Sequence, residues 1–376
     1  MIRPHWLLSL LVLASPLAAQ GTLSTQGFGY HPGQISTRAR ATGGALGEFD
    51  ATSALNPAAL AWWQRSGVVL EYAPEFRRVT TASTSETATV ARFPLSGAAI
   101  AVGGRTIVGL TLSTFLDRTW ETAQSGTHQF ADEQIPYEVQ FRSAGAINDI
   151  RLAGAWTASN ALRVGIGAHV FAGSNRLNIL TRFNDTLGRV ADFAQQSRIS
   201  YSGAAASAGV DWRPHRSIGI AASGRLGGTL RAVRNDTTLA TADIPMRVGF
   251  GLAYTGLRGA VIAASGEWQD WSKLDRLGSD QLTTFDGWDY GLGAEVRGPR
   301  WFGGDVPLRV GVRRRTLPFG AAGAEVEETS VGAGWGFTIA SGRAVADFGV
   351  SRASRTADGG ASERATTFSI GLIVRP

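Results

Sequence analysis

The sequence predicts an all-β protein, a transmembrane antiparallel β-barrel of about 14 strands with an N-terminal hatch, or plug, inside its lumen. Three observations lead to this fold. From Ser66 onward, runs of residues alternate apolar with small or polar side chains. Tight turns and long polar loops separate these runs in alternation. The stretch 38–64 lacks the alternation and is built largely from Ala, Gly, Ser and Thr.

The chain begins with a stretch typical of a signal peptide, residues 1–19. A positively charged start precedes an apolar run, Trp6–Leu13, and small residues follow it. This run is far shorter than the ~20 residues that a membrane-spanning helix needs, which favours cleavage over anchoring. We therefore expect export, with residues 20–66 as the hatch and 67–376 as the barrel.

Two helix-start signals mark the predicted hatch. Asp50 is suited to cap a turn through residues 51–55. Asn56 precedes Pro57 and Ala58. An Asn side chain can accept a hydrogen bond from a free amide at the start of a helix. Pro suits the first helical position, because the amide hydrogen that it lacks would have no partner within the helix. We expect these four residues to shape and gate the hatch, and for Asn56 and Pro57 helix capping alone is the simpler interpretation.

The predicted barrel strands have one apolar face. In the last run, Phe368, Ile370, Leu372 and Val374 share one face, and Thr367, Ser369 and Gly371 share the other. A barrel in lipid requires apolar side chains outside and a partly polar lumen inside. The many Gly and Ala residues at the second set of positions favour a crowded lumen over a solvated surface.

Fourteen strands are expected, an even number as in bacterial single-chain barrels. Their predicted positions are 67–79, 88–103, 105–121, 138–158, 161–182, 197–213, 216–233, 244–255, 258–272, 286–298, 305–317, 326–340, 342–355 and 363–375. Long polar loops are expected on one side of the membrane, at residues 122–137, 183–196, 234–243 and 273–285.

Composition excludes several classes of protein. The 376 residues include no Cys, so disulfides and thiolate metal sites are absent. The mean hydropathy of −0.01 is too polar for a helical membrane protein. The net charge of +6 is scattered, which argues against nucleic acid as a partner. Several of the 11 Trp residues, such as Trp156, Trp212, Trp271 and Trp288, lie near predicted strand ends, where interfacial girdles and ordinary packing are both open interpretations.

No catalytic, metal or cofactor site is predicted, and we do not expect an enzyme. His5, His31, His128, His169 and His215 are isolated, without metal-ligand spacing to one another or to a carboxylate pair. A hydrolase would need a Ser and a His that meet across the barrel wall, which sequence alone does not exclude.

A family resemblance extends over most of the chain. The N-terminal run GFGYHPGQISTRARATGGALGEFDATSALNPAALA resembles the hatch of the FadL family, the outer-membrane transporters of long-chain fatty acids and hydrocarbons. IPMRVGFGLAYTG with VIAASGEWQDWSKL, and WDYGLGAEV with VPLRVGVRRRTLPF, resemble later strand pairs of that family. The resemblance implies a Gram-negative outer-membrane channel for passive uptake of hydrophobic small molecules, gated by the hatch, with lateral release beside a bent third strand.

The resemblance suggests further site residues. Gly109 lies in the matching third strand and could permit the bend. Arg313 and Arg315 fall on the lumen face by alternation, where an arginine can bind a ligand carboxylate. The same two arginines could instead bind phosphates of the outer-membrane lipids at the rim or be simply solvated.

Two other functions stay open. PorV-like barrels, which act in protein secretion and surface attachment, share the small-residue hatch and would bring a protein partner. A general diffusion barrel would need an open lumen, against which the hatch argues.

Overall fold

The computed structural model describes residues 23–63, 65–80, 85–130, 133–185, 189–277, 282–301, 304–321, 324–339, 342–357 and 362–375. The predicted signal peptide, residues 1–19, lies outside the described residues. Within the described ranges, no helix is long and apolar enough to cross a membrane.

The wall is a single antiparallel sheet. The β-segments of the chain are β1 (Gly67–Tyr72), β2 (Glu75–Thr80), β3 (Ser85–Val90), β4 (Leu95–Val102), β5 (Thr106–Asp117), β6 (Trp120–Phe130), β7 (Glu133–Thr157), β8 (Leu162–Phe183), β9 (Phe193–His215), β10 (Ile218–Gly227), β11 (Thr229–Arg234), β12 (Thr237–Asp243), β13 (Arg247–Tyr254), β14 (Ala260–Gln269), β15 (Leu282–Thr284), β16 (Gly287–Trp301), β17 (Gly304–Thr316), β18 (Phe319–Ala321), β19 (Val326–Ile339), β20 (Ala344–Ala357) and β21 (Ser362–Val374). β15 and β18 form a separate two-stranded sheet, and the other segments build the wall.

The wall closes into a barrel of 14 strands, which confirms the prediction. In five places two successive segments continue one wall strand: β1 with β2, β3 with β4, β5 with β6, β10 with β11, and β12 with β13. The last strand, β21, pairs with the first, so that Val374 lies opposite Val68 and Thr367 opposite Glu75. Each wall strand therefore has a neighbour on both sides along part of its length.

The outer surface of this barrel is apolar, as the alternation predicts. Val68 and Leu70 on β1 are 53% and 51% exposed, and Ile370 and Leu372 on β21 are 45% and 42% exposed. Glu71, which alternates with them, is buried on the lumen side. An apolar belt around a closed barrel is the surface that lipid tails require.

Two predicted loops are wrong. Much of 122–137 belongs to the β6–β7 hairpin, in which Phe130 lies opposite Glu133. Most of 234–243 belongs to the β11–β12 hairpin, whose turn residues Asn235 and Asp236 have φ of 47° and 62°. Both hairpins extend past the apolar belt, so most of their outward residues are polar and they lack the apolar outer face that marks the other strands.

The N-terminal segment, residues 23–63, begins its helical structure at Ser36. The helix α1 (Thr37–Ala41) is capped by the Ser36 hydroxyl, which accepts a hydrogen bond from the Ala39 amide at 3.0 Å. Two short 3₁₀ helices follow, Gly47–Phe49 and Pro57–Trp63. The segment thus turns repeatedly within a short length.

The predicted cap at Asn56 is present, and the one at Asp50 differs. The Asn56 side-chain oxygen accepts a hydrogen bond from the Ala58 amide at 2.9 Å, and Pro57 is the first residue of the 3₁₀ helix. The Asp50 carboxylate accepts from the Thr52 amide at 3.0 Å, but residues 51–55 form turns and bends and no helix. Asp50 therefore holds a local turn and also accepts from the Ser36 hydroxyl.

The N-terminal segment touches the wall on several sides. α1 packs against β17, β19, β20 and β21, the helix Gly47–Phe49 against β10 and β13, and the helix Pro57–Trp63 against β5, β7, β8 and β9. Because these strands lie around the whole circumference, the segment crosses the lumen. The exact boundaries of the hatch at residues 20–66 and of the barrel at 67–376 stay a prediction.

Glycines on the lumen side make this packing fit. A Cβ at Gly311 or Gly293 would overlap the backbone of Thr42, and one at Gly332 would lie 2.7 Å from the Arg40 carbonyl oxygen. Backbone therefore lies directly against backbone where α1 ends. The sequence alternation of β16, β17 and β19, with Gly at inward positions, is what leaves this room.

We expect Gly311→Ala to displace the N-terminal segment, because the added methyl group overlaps the Thr42 backbone. Trypsin cleavage after Arg38 and Arg40, followed by mass spectrometry of the folded barrel in detergent, should become several-fold faster. Gly104→Ala is the matched control, since a Cβ there meets nothing within 4 Å. Equal cleavage of both variants would show that the segment does not depend on this contact.

Candidate functional site

A buried apolar cluster fills the lumen toward the end where the long connections lie. We call it the aromatic cluster, and its members are Phe28, Phe115, Leu116, Ile147, Phe171, Tyr201, Leu230, Ala232, Ala242, Ile244, Trp271, Leu274 and Phe319. Phe115 stacks on Trp271 with ring centroids 5.3 Å apart and meets Phe171 edge-on at 4.9 Å. The interior of this barrel is thus apolar at this end.

Trp271 belongs to this cluster and not to an interfacial girdle. It begins the 3₁₀ helix Trp271–Leu277, which follows β14, and it is 3% exposed. Trp156, Trp212 and Trp288 are between 46% and 51% exposed on the outer surface, as interfacial residues are. Position near a strand end therefore predicts the girdle for three of these four tryptophans.

His31 connects the N-terminal segment to the aromatic cluster. Its Nδ1–H donates to the Phe115 carbonyl oxygen at 2.6 Å, and its ring meets Trp271 edge-on at 5.0 Å. Burial, assisted by the charges of Arg315, Arg225 and Arg313, lowers the pKa of His31 from 6.5 to about 3, although the hydrogen bond to Phe115 opposes this shift. His31 is therefore a neutral member of the cluster at physiological pH.

We expect this pKa to make stability fall with acidity. The unfolded chain binds a proton on His31 below pH 6.5 and the folded barrel only near pH 3, so the stabilisation present above pH 6.5 is lost as the pH falls through this window. Between pH 7.5 and 5 the wild type should lose roughly 2 kcal/mol more than His31→Gln, read from urea unfolding in micelles. Replacing the exposed His128 by Gln should leave the loss unchanged; an equal loss in His31→Gln would contradict the assignment.

Tyr30 lies at the centre of a buried ionic network. Four guanidinium groups surround its ring, with their central carbons 4.7–5.3 Å from the ring centroid: Arg77, Arg92, Arg315 and Arg355. Four carboxylates pair with them: Glu75, Asp117, Glu328 and Glu363. All eight charged side chains are at most 7% exposed, and their charges balance.

The Tyr30 hydroxyl is part of the same network. It accepts hydrogen bonds from Arg315 and from Arg355, the latter at 3.0 Å, and donates to Glu328 at 3.3 Å. The Tyr30 backbone also exchanges two hydrogen bonds of 2.8 Å with Asp117 of β5. The network therefore holds the N-terminal segment to the wall. Its wall residues lie on β2, β5, β17, β19, β20 and β21 and on the β3–β4 connection.

We expect Tyr30→Phe to loosen the N-terminal segment without opening the barrel, because it removes three hydrogen bonds to buried charged groups and keeps the ring. Such bonds contribute about 1–3 kcal/mol each, so hydrogen exchange of peptides from residues 23–36 should accelerate at least tenfold. Tyr72→Phe is the control, since Tyr72 packs against Phe93 on the outer surface. Unchanged exchange in Tyr30→Phe would contradict the anchoring role.

Arg313 and Arg315 lie inside the lumen, and both have protein partners. Arg313 donates to Asp289 through Nε at 2.8 Å, and Arg315 pairs with Glu328 at 2.7 Å. Arg315 also donates to the His31 carbonyl oxygen at 2.9 Å. Their ligand-binding role stays a prediction: here the Arg313 guanidinium binds Asp289 of the neighbouring strand, and the Arg315 guanidinium binds Glu328 and the N-terminal segment.

Several other buried arginines have nitrogen atoms without a hydrogen-bond partner among the described residues, and Arg118, Arg151 and Arg225 are among them. Arg225 lies over the rings of Phe115 and Phe171, 5.2 and 5.4 Å from their centroids, and its Nε and Nη2 are unpaired. Buried donors of this kind are costly unless a ligand or water satisfies them. Arg225 Nη1 does have partners, since it donates to the Gln34 side-chain oxygen at 3.0 Å and lies 3.5 Å from an Asp149 carboxylate oxygen. The unpaired nitrogens were not predicted from the sequence, because alternation alone does not show which nitrogens of an inward arginine find a partner.

Asp149, His169 and Ser207 form a chain of hydrogen bonds across three strands. His169 Nδ1 lies 2.8 Å from an Asp149 carboxylate oxygen, and its Nε2 lies 2.8 Å from the Ser207 hydroxyl. The order resembles a hydrolase triad, but the backbone of residues 204–210 is used in pairing with β8 and β10, so it offers no amides for an oxyanion. The other Asp149 oxygen accepts from Gln34 at 2.8 Å, which makes this chain another anchor of the N-terminal segment.

Further ion pairs hold the remaining parts of the segment. Arg38 binds Glu295 through two hydrogen bonds of 2.8 Å, and Glu48 pairs with Arg247. At the end of the segment, the Trp62 indole nitrogen donates to Asp211 at 2.5 Å. These anchors lie on β9, β13 and β16, away from the Tyr30 network, so the segment is fixed on opposite sides of the lumen.

The 3₁₀ helix that Asn56 caps packs against the wall at the opposite end of the lumen from the aromatic cluster. Pro57 belongs to this helix, and Gly109 lies on the wall beside it. Asn56 donates to the Val210 carbonyl oxygen at 3.1 Å, and a Cβ on Gly165 would lie 2.5 Å from the Pro57 carbonyl carbon. A Cβ on Gly109 would meet Leu60 at 2.9 Å. Gly109 thus leaves room for the N-terminal segment, and its ladders with Ala99 and Ala153 are unbroken.

The third wall strand is interrupted farther along, at Arg118 and Thr119 between β5 and β6. A bulge between Thr114 and Leu116 precedes this break. Beyond it, β6 pairs with β7 and β3 pairs with β2, and in the described part of the chain no ladder joins β3 to β6. At this level, therefore, no backbone hydrogen bonds close the wall between the second and third strands.

Two of the cavities beside the N-terminal segment are small. One cavity, lined by Gly33, Gln34, Glu48 and Arg313 among others, has a volume of about 20 Å³, and a second beside His31 and Trp271 is of the same size. Each holds about one water molecule. A wider cavity of about 390 Å³ lies at the other mouth, near Trp62 and Arg213.

Comparison with known proteins gives matches at the level of structure. No protein-family model and no curated protein matches the chain. A FadL homologue from Pseudomonas aeruginosa has 12% identity and a TM-score of 0.60, and the match covers 92% of this chain and 99% of that one. The chain has the FadL-type barrel fold.

Two further solved structures share this FadL-type fold. The toluene transporter TbuX from Ralstonia pickettii has 16% identity and a TM-score of 0.59, with 91% of this chain and 98% of that one covered. The toluene transporter TodX from P. putida has 13% identity and a TM-score of 0.56, with the same coverage. The match therefore includes the N-terminal segment as well as the barrel wall, and the fold expected from the sequence resemblance is confirmed.

Proposed function

We propose that the protein is a Gram-negative outer-membrane channel for the passive uptake of hydrophobic small molecules, long-chain fatty acids or hydrocarbons. The observation that carries this proposal is the aromatic cluster, which lies inside a lumen crossed by the N-terminal segment. A general diffusion barrel needs a water-filled path, and the small cavities beside the segment argue against one. The toluene transporters TbuX and TodX, neighbours by fold, support the same class of substrate.

In this proposal, the substrate enters from the loop end into the aromatic cluster. The rings of Phe115, Phe171 and Trp271 offer a surface that stacks on or encloses an apolar chain or ring. For a fatty acid, Arg225 is the anchor that we infer, because its unpaired nitrogens lie among the aromatic rings and a guanidinium binds both carboxylate oxygens. A neutral hydrocarbon would use the rings alone.

The N-terminal segment acts as the gate. Its anchors at Tyr30, Gln34, Arg38 and Glu48 must rearrange in part before a substrate can pass, since the segment crosses the lumen and the two cavities beside Gln34 and His31 hold only about one water molecule each. The unsealed level between β3 and β6 is the lateral exit that we infer, because a hydrophobic molecule leaving there need not enter water. This location replaces Gly109 as the place where the wall would open.

If the N-terminal segment is the gate, a reversible covalent link between this segment and the wall should abolish uptake. A Cβ at Gly349 would lie 3.4 Å from Thr37 Cγ2, so the side chains of Thr37→Cys and Gly349→Cys would meet and can be tested for disulfide formation on oxidation. In Gram-negative cells without their own fatty-acid channel, the wild type should take up radiolabelled oleate or toluene faster than cells with an empty vector. The oxidised double variant should lose at least tenfold, and reduction should restore the rate.

The reduced double variant is the control for the disulfide. Because the wild-type chain contains no Cys, oxidation can link only the two introduced residues. Normal uptake by the oxidised variant would contradict gating by α1 and leave transport standing. No uptake of either substrate by the wild type, with a protein partner retained through purification, would contradict transport and favour a PorV-like role.

A further inference from the structure

Three arginines project from the outer surface of the barrel near its loop end. We call Arg78 of β2, Arg352 of β20 and Arg364 of β21 the outer arginine cluster. Arg78 lies directly opposite Arg364 in the β2–β21 ladder. Arg352 lies opposite Thr366, which places it diagonal to Arg364 on the next strand. All three are exposed and face away from the lumen, in contrast to Arg77 and Arg355, which alternate with them in the buried network.

This cluster has no carboxylate partner among the described residues, and in this it differs from two other outward arginines, Arg314 and Arg297. Arg314, on the same face of the wall, pairs with Glu327 at 2.8 Å, and Arg297 at the other rim pairs with Asp305 at 3.1 Å. Like charges directly opposite in an antiparallel pair are destabilising. Arg78 and Arg364 therefore form a repulsive pair that an anion from outside would relieve.

The cluster lies just past the apolar belt. Along β2 the outward residue before Arg78 is Phe76, and along β21 the outward apolar residue nearest to Arg364 is Phe368. The rings of Phe76 and Phe368 meet edge-on at 6.0 Å and are about half exposed. At this depth an outward arginine costs little, whereas it would be expensive at the middle of the bilayer.

The three arginines and their neighbours line one groove. Its volume is about 460 Å³, and its lining includes Phe76, all three arginines and the hydroxyl residues Thr87, Thr89 and Thr366. Guanidinium groups bind phosphate through paired hydrogen bonds, and hydroxyl groups can add single ones. The groove thus combines donors for a phosphate with an aromatic surface on the membrane side.

We propose that the outer arginine cluster binds the phosphorylated headgroup of a lipid in the leaflet at the loop end of the barrel. A lipid suits the groove better than free phosphate, because the aromatic pair Phe76 and Phe368 continues the site toward the acyl-chain region. Bound lipid would neutralise the repulsive pair and fix the height of β2, β20 and β21 in the membrane. This role is independent of which molecule passes through the lumen.

Native mass spectrometry of the purified full chain tests the proposal, with bisphosphorylated lipid A added to detergent micelles. We expect the wild type to retain the lipid and a triple variant, Arg78→Gln, Arg352→Gln and Arg364→Gln, to bind it at least tenfold more weakly. Arg314→Gln is the matched control and should change binding less than twofold, because Arg314 already has a carboxylate partner. The heat-dependent shift of folded barrels on a gel verifies that each variant is folded, and Arg364→Gln alone replaces the triple variant if it is not.

Three results would overturn the proposal. The triple variant, or the single variant in its place, could retain lipid A as the wild type does. Dephosphorylated lipid A could bind as tightly as the bisphosphorylated form, which would show that acyl-chain contacts alone hold the lipid. Inorganic phosphate could displace the lipid at equal concentration, which would identify a simple anion site. Selective loss in the arginine variants, with weak competition by phosphate, supports a lipid site.

Discussion

The closed state depends on the buried charge balance around Tyr30. Four arginines and four carboxylates lie within the lumen with almost no exposure, and removal of one partner from such a network leaves an uncompensated charge that costs about 3–5 kcal/mol. Tyr30 is the one residue of the N-terminal segment that both hydrogen-bonds to this network and is enclosed by its cations. Wall strands that are distant in sequence are therefore joined through a residue that belongs to none of them.

A second constraint, steric and not electrostatic, acts on the same part of the wall, farther from the loop end than the Tyr30 network. Inward glycines on β16, β17 and β19 bring the wall backbone against the backbone of Arg40 to Gly43, so that no water fits between them. Charge fixes the segment where it enters and glycine packing fixes it where α1 ends. One set of contacts can break while the other holds, which suits the partial rearrangement that we propose for uptake better than loss of the whole segment.

The barrel was predictable from the sequence because its signals are local. Alternation gives the strands, and the cap at Asn56 follows from two adjacent residues, Asn56 and Pro57. The hairpins past the apolar belt were missed because their outward residues are polar. The site was less predictable, since the partners of Arg315, the unpaired nitrogens of Arg225 and the meeting of His169 with Ser207 all depend on strand register. Register joins residues far apart in the chain, and a single sequence does not contain it.

The most direct test of the closed lumen is the electrical conductance of single wild-type barrels in a planar bilayer. Because the N-terminal segment is anchored on both sides and the cavities beside Gln34 and His31 measure only about 20 Å³ each, we expect no sustained ionic current at low voltage. A steady open-pore current from the intact, correctly folded chain would contradict it, because such a current needs a continuous aqueous path through the region that Tyr30 and α1 occupy.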